Sequence, residues 1–127
     1  MLKNKNKENN ITPIVCVGEK TKTAKLDVLV EQVEKALSKV ENSNIIFAYE
    51  PIWAIGSGEV PTVLKINKAL KIIKDIAKKK DLDVKVLYGG SVNLSNHKEL
   101  KTSIADGFLM GGVSLKLDDF MCIVKGE

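Results

Sequence analysis

Arginine is absent from this 127-residue sequence, and all 20 basic residues are lysines. Aromatic residues make up 5% of the chain, and there is one histidine. Because nucleic-acid surfaces usually combine arginine with aromatic side chains, the net charge of +4 and the lysine run at 78–80 indicate solvated helix ends, not a nucleic-acid partner. The histidine, His97, falls in a predicted helix away from every strand end, and we interpret it as a surface residue without a catalytic role.

Long apolar runs and cysteine motifs are also missing. No stretch approaches the ~20 apolar residues of a membrane span, and the amino terminus lacks the apolar region of a signal peptide. Cys16 and Cys122 have no metal-binding or redox spacing, and we predict that both are buried thiols of a cytosolic protein. The content of 44% hydrophobic and 28% charged residues is typical of a globular protein. The sequence therefore predicts neither membrane association nor a metal site.

Short apolar segments alternate with amphipathic ones along the chain. Strands are predicted at residues 13–17, 45–49, 84–88 and 107–110, and short helices at 96–101 and 117–124. This alternation with short connections predicts parallel βα units, and hence an α/β domain over residues 11–127 preceded by a polar segment at 1–10.

Two longer helices are predicted between these strands from apolar residues spaced three and four apart. The second of them has Thr62 as its predicted N-cap. The first apolar stripe consists of Leu26, Leu29, Val30, Val33, Leu37 and Val40, and the second of Ile66, Leu70, Ile73 and Ala77.

Glu50 occupies the point where the second predicted strand ends. The carboxyl edge of a parallel sheet is where α/β folds place their chemistry. Pro51 ends the strand because it has a fixed φ and no backbone N–H, and an apolar Trp-Ala-Ile loop follows between the strand and Gly56. Alone, Glu50 would read as a surface carboxylate. Directly before a proline and an apolar loop, it is typical of a base beneath a lid that excludes water.

Two Gly-Gly pairs follow the third and fourth predicted strands. Gly89-Gly90-Ser91 and Gly111-Gly112 are each compatible with a simple turn. Both, however, lie at the carboxyl ends of neighbouring strands. Glycine there lets backbone N–H groups approach phosphate oxygens, and a helix amino terminus adds partial positive charge. The pairs therefore predict a phosphate site.

Four motifs, in one order along the chain, resemble the triosephosphate isomerase family. They are residues 12–19 (TPIVCVGE), 48–58 (AYEPIWAIGSG), 87–92 (LYGGSV) and 106–115 (DGFLMGGVSL). The resemblance runs from Ile11 to the carboxyl terminus and covers only the second half of the family's chain. It implies half of a (β/α)8 TIM barrel, strands 5–8 with their helices, since a whole barrel needs ~250 residues.

The resemblance also implies an activity. Glu50 is then the base that moves a proton between C1 and C2 of dihydroxyacetone phosphate and glyceraldehyde 3-phosphate through an enediol(ate), in glycolysis and gluconeogenesis. Ile55 and Leu109 resemble an apolar pair that clamps the glutamate, and desolvation strengthens a carboxylate as a base. The reaction implies no metal or organic cofactor, because a positioned base and preorganised donors suffice for it.

The remaining site residues divide by their implied roles. The phosphate ligands are Gly56, Ser91, Gly111 and Gly112. The lid and clamp residues are Pro51, Ile52, Trp53, Ala54, Ile55, Gly58 and Leu109. The residues that hold the lid open or shut, with Trp53, are Glu19 and Tyr49.

The resemblance also identifies departures. The family's substrate-binding Asn and Lys, its electrophilic His and its dimer-interface loop belong to the first half and have no counterpart here. Ser57 replaces a usual Thr, residues 59–61 form a variant lid hinge, and the segment after Glu19 is several residues shorter than usual. We therefore expect the chain to be poorly active alone.

The implied partners are a triose phosphate substrate and an N-terminal half-barrel, or a second copy, that closes the barrel. The family is homodimeric, and the implied location is the cytoplasm. Two functions stay open: half of an isomerase whose other half lies on a separate chain, or a non-catalytic phosphate-binding half-barrel. A different (β/α)8 enzyme that shares only the phosphate site would not explain the lid motif.

Overall fold

Strands and helices alternate along the chain in a computed structural model, which describes residues 11–39 and 44–127. The strands are β1 (Ile14–Val17), β2 (Ile46–Tyr49), β3 (Lys85–Gly89) and β4 (Gly107–Leu109). The α-helices are α1 (Asp27–Ser38), α2 (Val63–Lys79), α3 (His97–Leu100) and α4 (Leu117–Lys125), and two 3-10 turns cover Ile52–Ala54 and Gly112–Leu115. The predicted polar segment at 1–10 and Val40 of the first stripe lie outside the described residues.

The four strands form one parallel sheet in the order β1-β2-β3-β4, so that β1 and β4 are its two edges. In its register Val17 pairs with Tyr49, Tyr49 with Tyr88, and Gly89 with Leu109. The predicted α/β class and the four parallel βα units are confirmed, with strand ends that differ by about one residue from the prediction.

The two faces of the sheet have different surroundings. Successive side chains of a strand point to opposite faces. The helix-covered face holds the buried side chains Val17, Phe47, Tyr49, Val86 and Tyr88. The opposite face, which we call the open face, holds the exposed or half-buried side chains Ile14, Cys16, Ile46, Leu87 and Leu109. One layer of helices thus covers one side of the sheet.

The helices bury the predicted stripes against the sheet. Thr62 is the N-cap of α2, because its Oγ1 accepts the Lys65 backbone N–H at 3.2 Å. The α2 stripe Ile66, Leu70, Ile73 and Ala77 is buried as predicted. The α1 stripe is narrower than predicted: Leu29, Val33 and Leu37 are buried, whereas Val30 is exposed at the edge of the stripe. Among the described helices, none combines the length and apolarity needed to cross a membrane.

Both cysteine predictions and the histidine prediction require correction. Cys16 is exposed, because it lies on the open face, and Cys122 is half-buried in α4. His97 is buried, with 1% of its surface exposed. The turn before it explains this: the Asn93 N–H donates to Asn96 Oδ1 at 2.8 Å, and this turn directs His97 inward at the start of α3. Burial, followed by the nearby Lys101 and Lys98, lowers the pKa of His97.

The two sheet edges predict self-association of the isolated chain. Edge strands beside an apolar face recruit other chains. We expect static light scattering to give a mass above that of one chain. We also expect Ile14→Lys, which adds a charge to the open face of edge strand β1, to reduce association. Ile104→Lys is the matched control, because Ile104 is equally exposed (46% against 47%) but lies outside the strands. A stable monomer with native-like near-ultraviolet dichroism would contradict the prediction.

Candidate active site

The carboxyl edge of the sheet places Glu50 directly after β2, between the loops that follow β1 and β3. The Glu50 N–H donates to the Val17 carbonyl at 2.7 Å, which extends the β1–β2 pairing by one residue. The Ile52 N–H donates to the Glu19 carbonyl at 2.9 Å, so the next residues also stay against the β1 loop. The half-buried Glu50 side chain therefore starts from a fixed backbone position.

A glycine lies beside Glu50 on each side, Gly18 directly after β1 and Gly89 at the end of β3, and a side chain at either position would meet Glu50. A Cβ at Gly18 would collide with the Glu50 carbonyl oxygen. A Cβ at Gly89 would lie 2.7 Å from Glu50 Oε1, which is closer than two such atoms can approach. The carboxylate therefore lies over Gly89, in space that any other residue would fill. Sequence reasoning assigned Gly89 to the phosphate turn and missed Gly18, although a glycine one residue beyond a strand end was the available signal.

Cys16 is a second residue of the site that sequence reasoning missed. It lies on the open face of β1, beside the Glu50 carboxylate. Partial burial, followed by the negative charge of Glu50, raises the pKa of the Cys16 thiol. The thiol therefore stays protonated near neutral pH.

The segment predicted to be the lid begins with a short 3-10 turn and continues into an exposed loop. Pro51 and Ala54 are buried, and the 3-10 turn Ile52–Ala54 leads away from the strand. Ile55 beyond the turn is exposed, whereas Leu109 is half-buried at the end of β4. The predicted clamp of these two side chains on Glu50 stays a prediction.

Ser91 connects the lid to the loop after β3. Its Oγ donates to the Ala54 carbonyl at 2.6 Å and accepts the Gly58 N–H at 3.1 Å. The Ser91 hydroxyl thus binds the lid at two positions, Ala54 and Gly58. The other predicted phosphate ligands are exposed. Gly56 lies on the lid, and Gly111 and Gly112 lie on the loop after β4, the strand next to β3.

A largely buried polar cluster lies behind the lid and consists of Glu19, Tyr49 and Lys65 of α2. Both Glu19 carboxylate oxygens accept the Tyr49 hydroxyl at 3.0 Å, and Lys65 Nζ lies 3.0 Å from Glu19 Oε2. Burial, followed by the Glu19 charge, raises the pKa of Tyr49, so its hydroxyl stays a donor. The structure brings together the two predicted supporting residues. Lys65 was missed, because the helix pattern marked it only as a polar position.

The edge of the sheet brings together a half-buried carboxylate, the loop that follows it and the glycine-containing loops after β3 and β4. This is the arrangement that the predicted roles of base, lid and phosphate loops require. Within residues 11–39 and 44–127, no group of three or more His, Cys, Asp or Glu side chains is arranged to hold a metal ion.

Comparison with known proteins agrees with this arrangement. A family model described as "Triosephosphate isomerase" matches residues 3–127. A protein named "Triosephosphate isomerase" from Orientia tsutsugamushi (strain Boryong) is 39% identical over 125 residues, covering 92% of this chain and 50% of that protein. The protein of the same name from Mycoplasma mobile is 41% identical over 124 residues, covering 93% and 50%. The one from Borrelia garinii subsp. bavariensis is 44% identical over 125 residues, covering 88% and 49%.

The chain thus spans about half the length of the curated relatives it matches. Four parallel βα units over half of a relative's length are what half of a (β/α)8 barrel contains. The predicted resemblance and the predicted half-barrel are therefore confirmed.

The Tyr49 hydroxyl should contribute more stability than the Tyr88 hydroxyl. Tyr49 donates to a buried carboxylate, whereas Tyr88 donates to the Gly90 carbonyl at 3.1 Å. Hydrogen bonds to charged groups contribute about 1.5–3 kcal/mol, against about 0.5–1.5 kcal/mol for neutral ones. We expect Tyr49→Phe to lower the free energy of unfolding by the larger amount and Tyr88→Phe, the matched control, by the smaller, measured by urea denaturation. Equal losses of stability, or a larger loss in Tyr88→Phe, would show that the hydrogen bond from Tyr49 to the Glu19 carboxylate does not contribute the larger stabilisation.

Proposed function

The chain belongs to the triosephosphate isomerase family, and we propose that it supplies the catalytic base, lid and phosphate loops of an isomerase. The reaction interconverts dihydroxyacetone phosphate and D-glyceraldehyde 3-phosphate. The observation that carries the proposal is the placement of the Glu50 carboxylate over Gly89 at the carboxyl edge of the sheet, immediately before the lid.

In the proposed mechanism, Glu50 removes a proton from C1 of dihydroxyacetone phosphate and returns it at C2 of the enediol(ate). The same carboxylate serves both steps, because the two carbons are adjacent and one positioned oxygen reaches each in turn. Ile55 and Leu109 close over the carboxylate when the lid moves, and they exclude water from the reacting atoms. The fixed backbone of Glu50 supports this role, since its N–H is bound to β1 and the preceding residue, Tyr49, pairs with β3.

The substrate phosphate binds to the loops beside the base. Ser91, Gly111 and Gly112 donate from the loops after β3 and β4, and the Gly56 N–H joins them when the lid closes. The contact of the Ser91 hydroxyl with both Ala54 and Gly58 supports this coupling, because one residue serves the lid and the phosphate loop together. Closing the lid then completes the phosphate site.

The proposed enzyme is completed outside this chain. An electrophilic donor must stabilise the enediolate oxygen, and the family supplies its His, Lys and Asn from the first half of the barrel. An N-terminal half-barrel, or a second copy, closes the sheet at β1 and β4. We further propose that the completed enzyme is a cytoplasmic homodimer of glycolysis and gluconeogenesis.

A phosphate-binding half-barrel without turnover is the second candidate. The observation in its favour is that the proposed phosphate ligands lie on this chain, whereas the electrophilic donors do not. The two candidates differ in one result: the second predicts phosphate binding but no isomerisation after the complementary half is added.

The isolated chain should isomerise triose phosphates far more slowly than the family. Loss of a single preorganised donor costs about 100–1000-fold in comparable sites, and here two donors, the Lys and the His, are missing together. We expect a coupled assay on the purified 127-residue chain to give turnover reduced by at least that factor. Family-like turnover from a preparation shown to be monomeric would overturn the prediction.

Glu50→Asp should lower the turnover of the reconstituted barrel and leave substrate binding nearly unchanged. The shorter side chain withdraws the carboxylate by one methylene, and misplacement of about 1 Å costs about 100-fold. Steady-state kinetics would show the loss in kcat with little change in KM. Glu31→Asp, the same change at an exposed position of α1, is the control and should have no effect. Equal rates for Glu50→Asp and the parent would remove Glu50 from the role of base.

A further inference from the structure

Trp53, the only tryptophan of the chain, lies against two lysine ammonium groups at the start of the lid. Lys65 Nζ is 5.3 Å from the centroid of its ring and Lys22 Nζ is 5.6 Å from it. An ammonium group within about 6 Å of an indole centroid is attracted by the ring electrons. The indole Nε1 is buried and has no hydrogen-bond partner within the described residues. The polar contacts of this ring are therefore the two ammonium groups.

Lys65 is fixed independently of the lid. Its ammonium group lies 3.0 Å from Glu19 Oε2 and donates to the Lys22 carbonyl at 3.2 Å. The side chain of Glu19 is fully buried and that of Lys65 is 26% exposed, so solvent screens this pair little. The ammonium group thus has contacts with Glu19 and the Lys22 carbonyl that do not involve Trp53.

Lys22 makes a weaker contact of the same kind. Its side chain is 66% exposed, and its ammonium group is 3.8 Å from a carboxylate oxygen of Glu59 near the far end of the lid. Exposed pairs of this length contribute little, because water screens them. Of the two lysines near Trp53, Lys65 is therefore the firmly held one, and Lys22 is exposed and weakly held.

We propose that Lys65 is a positioning residue of the lid, whose ammonium group, anchored on Glu19, holds Trp53 in its observed place. Any motion of the lid that carries Trp53 away must break the contact with Lys65. Together with the two hydrogen bonds between Ser91 and the lid, this contact then limits how often the lid leaves the strand end where Glu50 lies. Its consequence for turnover rests on the proposed function, whereas the contact itself does not.

The fluorescence of Trp53 reports on this contact directly, because the chain has no other tryptophan. Acrylamide is a neutral quencher, so its access to the ring measures exposure and not local charge. From the range of cation–π interactions, we expect Lys65→Met to lower the ratio of docked to undocked ring by about 2- to 30-fold, and the quenching constant to rise. Lys65→Arg keeps a cation and its donors, and it should restore the parent value. Lys68→Met is the matched control, because Lys68 is an exposed lysine one turn further along α2.

A second variant keeps the test decisive if Lys65→Met unfolds the chain by leaving the Glu19 carboxylate unpaired. Glu19→Gln combined with Lys65→Met removes both charges and keeps an acceptor for Tyr49. It should give the same rise in quenching with an unchanged far-ultraviolet dichroism spectrum. Parent-like quenching in the folded variants without Lys65, or an equal rise in Lys68→Met, would overturn the proposal.

The fluorescence result is separable from the enzymatic one. A rise in quenching together with an inactive reconstituted barrel would overturn the proposed function and leave the role of Lys65 standing. Parent-like quenching together with an active barrel would overturn only the role of Lys65.

Discussion

The parallel pairing of β2 with β1 and β3 is the constraint on which the rest of the site depends. It brings Gly18, Glu50 and Gly89 into one row, in which Gly18 leaves space for the Glu50 backbone carbonyl and Gly89 for the Glu50 carboxylate. Because the lid starts at the next residue, Pro51, the same pairing also fixes where the lid begins. A shift of one residue in either pairing would turn the Glu50 side chain to the helix-covered face, since strand side chains alternate. The position of Glu50 is thus fixed by the pairing of the strands, and not by the loop that follows it.

The same sheet is the reason why we propose that a second half completes the enzyme. Helices cover one face, while the open face carries Cys16 and Glu50 beside apolar side chains and ends in two edge strands. In a closed barrel this face lies inside, where side chains from all strands meet and water is excluded. A polypeptide that pairs with both edges would therefore bury the open face and bring its own side chains to Glu50. Closing the fold and completing the site are one event in this account.

Much of the fold was predictable from local patterns, because each pattern had a single physical cause. The four apolar segments became strands, the α2 stripe became buried, and Thr62 became an N-cap. The wrong predictions concern burial, which depends on contacts with residues that are distant in the sequence. Cys16 reads as buried in sequence because its strand is apolar, yet its face is uncovered; His97 reads as a surface residue because its helix is short, yet a turn directs it inward. Lys65 is one of 20 lysines, and only the fold shows that it meets Glu19.

The central claim is that this chain holds the base of an isomerase that another half-barrel completes. Its most direct test is to titrate the amino-terminal half of the Mycoplasma mobile relative into a fixed concentration of this chain and to follow triose phosphate isomerisation. The account predicts activity that rises from a low baseline and saturates when the two halves are equimolar, together with loss of the self-associated species. Activity that stays at the baseline, although the halves form a soluble one-to-one complex, would contradict it.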